Sequence, residues 1–109
     1  MKTLYRVAWE NASGTNSFCE LKNDDGSYKG SVEAFETSDI DEARKVYLEN
    51  LESYKGQTVR ELGYCGLYEN SSDKSNYYFI ALERYDIDED GDIADSETIE
   101  SSEYYYFEY

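Results

Sequence analysis

One stretch of the 109-residue chain repeats its apolar residues at three- and four-residue steps. Ile40, Ala43, Tyr47, Leu51 and Tyr54 fall on one stripe of "TSDIDEARKVYLENLESYKG", which predicts an amphipathic helix over about residues 38–54. A single helix of this kind cannot bury its own stripe, so the chain must also build a sheet for it to lie on. Thr37 or Ser38 is placed to cap the helix. Asp39, Asp41 and Glu42 suit the positive end of its dipole. Asp41 and Lys45 form an i,i+4 pair, and Gly56 is the expected stop.

The remaining apolar residues read as strands. In "TLYRVAWE", Tyr5, Val7 and Trp9 share one face, with Leu4, Arg6 and Ala8 on the other. "NASGTN" follows as a turn. "SFCELK" and "SYKGSVEAF" flank Asn23–Gly26, whose Asp-Gly step signals a hairpin. "TVRELGYCGLYE" reads as a strand in which Gly63 and Gly66 suggest a bulge or a close backbone approach, and "NSSDKSN" as a polar loop. "YYFIALERY" is apolar on both faces and is expected at the centre of the sheet, and "EYYYFEY" is strand-like by propensity. With no proline, no long linker and no repeat, the expectation is one α+β domain over residues 1–109. It is an antiparallel sheet with one helix packed on a face, in the order β-β-β-α-β-β, an acidic connection and a last strand.

Composition narrows the function. Thirteen tyrosines and four phenylalanines supply apolar area that a disordered acidic tail lacks. The net charge of −15 is unevenly placed: residues 1–84 carry all ten bases against fifteen acids, whereas residues 85–109 carry ten acids and no base. Such a field draws in basic partners and repels nucleic acid and anionic membranes. The N-terminus lacks the apolar core of a secretory signal and no run is long enough to span a membrane, so a cytoplasmic location is expected. Cys19 and Cys65 are expected as free thiols. Without histidine, the common zinc sites and the usual general base are missing. No phosphate-cradling loop is present, and no nucleophile has an evident activating partner, so a non-enzymatic protein is expected.

"DIDEDGDIADSE", Asp86–Glu97, admits three readings. As a calcium loop of EF-hand type it would use Asp86, Asp88, Asp90, the Asp92 carbonyl and Glu97 as ligands, with Gly91 at the bend, Ile93 at the apolar position and "ALERYD" as an entering helix. Glu89 is unusual at its position, no second loop is present, and the flanks look more like strands. As a hairpin end it would turn at Asp90-Gly91 with its carboxylates in water. As a recognition surface, Asp86, Asp88 and Asp90 would form a row of like-facing carboxylates about 6.6 Å apart, against one phosphate per about 3.4 Å of axis on each strand of duplex DNA. Asp95, Glu97, Glu100, Glu103 and Glu108 would extend that row, and the helix would add Asp39, Glu42, Glu49 and Glu52. Tyr104, Tyr105, Tyr106 and Tyr109 lie beside these acids as candidate anchors for a partner.

A small, acidic, tyrosine-rich, proline-free α+β chain resembles the nucleic-acid-mimicking inhibitors that phages direct against host defence, anti-CRISPR proteins among them. The resemblance is one of composition and architecture. It implies a stoichiometric inhibitor, acting in the host cytoplasm, that occupies the basic nucleic-acid-binding surface of an effector. The expected partner-binding residues are Asp86, Asp88, Glu89, Asp90, Asp92, Asp95, Glu97, Glu100, Glu103, Tyr104, Tyr106 and Glu108. Two alternatives stay open. One is a calcium-binding module at residues 86–97, and the other is a scaffold protein that dimerises through its C-terminal strand.

Overall fold

A computed structural model describes residues 2–11, 16–54 and 77–106. The expected strand over "TVRELGYCGLYE", Gly56, Gly63, Cys65, Gly66, Glu108 and Tyr109 lie outside the described residues. The elements are β1 (Lys2–Asn11), β2 (Asn16–Ser17), β3 (Cys19–Lys22), β4 (Tyr28–Val32), β5 (Ala34–Thr37), α1 (Ile40–Ser53), β6 (Tyr77–Ile87), β7 (Ile93–Ser101) and β8 (Tyr105–Tyr106). All pairings are antiparallel. The fold is thus α+β, with one described helix on a main sheet.

The centre of that sheet is β1 against β6, in continuous register from Lys2↔Ile87 to Asn11↔Tyr78. Strands β2 and β5 share the other edge of β1, and β7 and β8 share the other edge of β6. Strand β6 is therefore central, as its two apolar sides predict. β3 and β4 form a separate two-stranded ladder.

Alternation fixes which side receives the helix. Val7 and Trp9 of β1 and Tyr78, Ile80 and Leu82 of β6 share one face and pack with Ala43, Val46 and Tyr47 of α1 and with Cys19. Trp9, Ile80, Leu82 and Val7 are fully buried, and each such side chain contributes about 1.5–3 kcal/mol relative to exposure. Tyr54 and Tyr105 meet the Trp9 ring edge-on, with centroids 5.3 and 5.8 Å away. The helix is pinned by Asn50. Its Oδ1 accepts from Trp9 Nε1 (3.3 Å) and Glu20 N (2.9 Å), while its Nδ2 donates to the Glu20 and Val46 carbonyls. A polar side chain is stable in this core because both ends of its amide are occupied.

Five local expectations need correction. The helix is capped by Asp39, whose Oδ1 accepts from Asp41 N at 2.9 Å. Thr37 instead accepts from Asp39 N, one step outside the helix. "SYKGSVEAF" is not one strand. Val32 and Phe35 both pack on the core, and residues three apart in a continuous strand face opposite sides, so the chain breaks at Glu33 and passes from one sheet to the other. The stretch expected as an acidic connection contains the nine-residue strand β7. Conversely, the described part of the last strand is only Tyr105–Tyr106, paired with Tyr78 and Tyr77. "ALERYD" is strand, not the end of a helix.

Candidate functional site

The acidic segment folds as the β6–β7 hairpin. Asp88 N donates to the Asp92 carbonyl and Gly91 N to the Asp88 carbonyl. Glu89 and Asp90 occupy the two central positions. Gly91 follows at φ +85°, a left-handed conformation that glycine adopts without strain. The Asp88 side chain braces the turn, its Oδ1 accepting from Asp90 N (2.9 Å) and Asp92 N (3.0 Å). The spacing of acids and glycine that resembles a calcium loop thus meets the requirements of a tight turn.

That turn breaks the expected row. Asp86 is still in β6, but Asp88 and Asp90 have left the strand. The carboxylates that share a face are gathered across two strands instead. Register places Glu97 opposite Arg84 and Asp95 opposite Asp86, with Glu100 opposite Leu82. Cross-strand neighbours lie about 5 Å apart, so the array is two-dimensional.

Arg84 sits within it. Its Nη1 is 3.1 Å from Asp86 Oδ2, and its Nη2 is 3.2 Å from Asp95 Oδ2 and 3.5 Å from Glu97 Oε2. Thr3 Oγ1 donates to the other Asp86 oxygen at 3.1 Å. The Arg84 Nε is buried without a hydrogen-bond partner among the described residues. One guanidinium against three carboxylates leaves a local charge of −2. Asp95 and Glu97 stay 68% and 64% exposed. Glu100 faces Arg44 of α1 at 3.6 Å. It also adds to the shift of the Tyr47 hydroxyl, which is pushed up to about 12 by burial first and by Glu100 second.

The remaining expected residues are distributed around this array. Asp88, Glu89, Asp90 and Asp92 ring the tip, which has no base of its own. Glu103 is exposed beyond β7. Tyr104 stands apart, its ring 5.2 Å from that of Phe79, which alternation puts on the face away from the helix. Tyr105 joins the core. The backbone of Tyr106 pairs with Tyr77. Glu42 and Glu49 border a groove of about 190 Å³ with Lys22, Lys29 and Lys45, so they face lysines rather than the Arg84 array.

The hairpin's other face carries an apolar patch. Leu4, Tyr85, Ile87 and Ile93, with Arg6 and Glu36, line a shallow pocket of about 260 Å³, and Ile93 is 59% exposed. Among the described residues no three carboxylates or thiols are grouped so as to hold a metal ion. Asp86 and Glu97, the first and last ligands of the calcium reading, face the Arg84 guanidinium. Sequence reasoning missed Arg84 and Asn50. For Arg84 a signal was present: it is the one base between residues 77 and 101, two residues before Asp86 and so on the same strand face. Compared with known proteins, the chain matches no family model, no curated protein and no solved structure.

Proposed function

We propose that the protein is a non-enzymatic acidic binding protein whose β6–β7 hairpin docks on the basic nucleic-acid-binding surface of another protein and excludes the nucleic acid. An inhibitor of the phage type directed at a host defence effector fits this description. The observation that carries the reading is the under-neutralised array of Asp86, Asp95 and Glu97 around one Arg84, continued by four acids at a tip without a base.

A strand ladder holds these charges at fixed spacing, so a partner meets them without ordering a flexible tail. Screening confines each exposed charge to about 8 Å at physiological salt, so the field speeds encounter and selects sign, while close contacts set the lifetime of the complex. Inhibition follows from mass action: the acidic protein and the nucleic acid compete for one surface.

Displacement of a labelled DNA or RNA from candidate nucleic-acid-guided effectors, at low and at physiological salt, tests the reading. We expect displacement that weakens with salt. The Asp86→Asn/Asp95→Asn/Glu97→Gln variant should need about tenfold more protein for the same displacement, equivalent to about 1.4 kcal/mol. No displacement from any such effector at low salt would overturn the proposal.

A further inference from the structure

We infer that the outer edge of β7 is a pairing edge for an extended segment of the partner protein that carries Lys or Arg at every second position. The inference rests on the proposed function and names how the partner is held.

The first observation is a row of main-chain groups. Ser102 N donates to the Ile80 carbonyl and Ile80 N to Ser102 Oγ, so the main chain of Ile80 points toward the β7 side. β6 pairs with β1 without a bulge, so Arg84 and Asp86 keep that direction. Their partners Glu97 and Asp95 therefore turn their main-chain groups back toward β6. The N–H and C=O of Ser96 and Thr98 are left pointing outward. Residues 93–98 are all exposed, and no described strand pairs with that edge.

The second observation selects the occupant. Sheet edges are commonly protected by charged side chains, Lys above all, by Pro or by bulges. "IADSETIES" has no Lys or Pro, its charges are all negative and so bar only acidic strands, and its register shifts flank a regular ladder at residues 95–98. It presents Asp95 and Glu97 on one face and Ser96 and Thr98 on the other. A strand added here puts its alternate side chains beside Asp95 and Glu97, where Arg84 leaves a surplus of negative charge. Lys or Arg at every second position meets that surplus, and the intervening residues lie beside the two hydroxyls. A second copy of this chain would bring acid against acid, and nucleic acid would be repelled.

The probe is a synthetic peptide as long as β7 in which Lys and Thr alternate, with a block isomer of the same composition and charge as reference. Binding to the full chain is measured at low salt, together with hydrogen exchange of the Ser96 and Thr98 amides. The alternating peptide should bind about tenfold tighter than the block isomer and slow exchange at both amides. N-methylation of alternate peptide amides should remove that preference. Ser96→Pro should do the same from the protein side, because proline is accepted at an edge where the nitrogen faces solvent. Equal binding of the isomers with unchanged exchange overturns the pairing edge. If nucleic-acid displacement persists in that case, docking by charge alone survives. Self-association that Ser96→Pro abolishes would also overturn the inference, in favour of a second copy. If neither peptide binds and displacement is also absent, both readings fail.

Discussion

The β3–β4 and β6–β7 hairpins make the same two main-chain turn bonds but differ widely in charge. In the first, Asn23 N donates to the Ser27 carbonyl and Gly26 N to the Asn23 carbonyl. In the second, Asp88, Asp92 and Gly91 make the same two bonds. Gly26 and Gly91 have nearly equal φ, +87° and +85°. Yet residues 19–32 hold three acids and two lysines, whereas residues 77–101 hold nine acids and one arginine. A neutral Asn23 stands where Asp88 stands, and the bracing carboxylate is Asp25 instead, its Oδ1 accepting from Ser27 N at 2.9 Å, so the turn needs a bracing acid but not one at that position. Each turn thus uses one bracing acid, Asp25 or Asp88, and the further negative charge of the second hairpin, at Asp95 and Glu97 on an exposed edge, is what the proposed function uses.

The largest stability difference between the hairpins should come from Asn50, which bonds Glu20 of β3 on both sides of its amide and makes no bond to β7. Asn50→Ala should cost about 2–4 kcal/mol, because buried partners are left without it. Hydrogen exchange should loosen β3–β4 first and spare the amides of β6–β7. Equal loosening of both would show that the two ladders unfold as one unit.

Alkali should act on both hairpins by different groups. Burial pushes the Cys19 thiol of β3 up to about 11, and the Tyr47 hydroxyl, beside Glu100 of β7, up to about 12. The native state keeps these protons to higher pH than the unfolded chain, so unfolding releases protons there and stability falls as pH rises. Cys19's contribution is complete below the ordinary value of 9.0 and is lost by about pH 11; Tyr47's is complete below 10.0 and is lost by about pH 12. The fully buried Cys19 alone accounts for a loss of about 2–3 kcal/mol. Denaturant melts across this range should show it. Cys19→Ala should remove the first limb, and Glu100→Gln should shrink the second and end it at lower pH, since removing the negative charge eases Tyr47 ionisation and narrows the gap from the unfolded chain.

The turns themselves should respond alike. A Cβ at Gly26 or at Gly91 meets nothing within 4 Å, so Gly→Ala isolates the cost of the left-handed backbone. Each should lose about 1 kcal/mol in chemical denaturation. A clear inequality between them would break the equivalence of the two turns.

Much of this architecture was legible because it follows from local pattern. Alternation of Tyr5, Val7 and Trp9 gave the core face of β1. The three-to-four-residue stripe gave α1, and Asp-Gly steps marked both turns. β7 was not legible, because Asp, Ser and Glu are poor strand formers and only pairing with the apolar β6 makes "IADSETIES" extended. The break at Glu33 was hidden for a related reason: whether Val32 and Phe35 share a core depends on tertiary packing. The acids of the candidate surface were legible as a group, but their grouping was not. Register, rather than sequence spacing, brings Asp86, Asp95 and Glu97 to one arginine and separates Tyr104 from them.

The smallest effect should come from the lone arginine, and it sharpens the electrostatic contrast. Arg84→Gln leaves three facing carboxylates without their cation, whereas Lys45→Gln in the first hairpin's neighbourhood removes an exposed pair with Asp24 at 3.7 Å. Exposed pairs contribute about 0–1 kcal/mol, and several charges sharing one partner lie toward the upper end of that range. Arg84→Gln should therefore destabilise the protein by up to about 1 kcal/mol at low salt, with most of the loss recovered at high salt, because only screening then relieves the repulsion. Lys45→Gln should stay near zero under both conditions. The same Arg84→Gln change raises the local charge of the array from −2 to −3, so displacement of nucleic acid from a basic effector should strengthen as stability falls. A variant that lost both together would show that Arg84 shapes the docking surface as well as neutralising it.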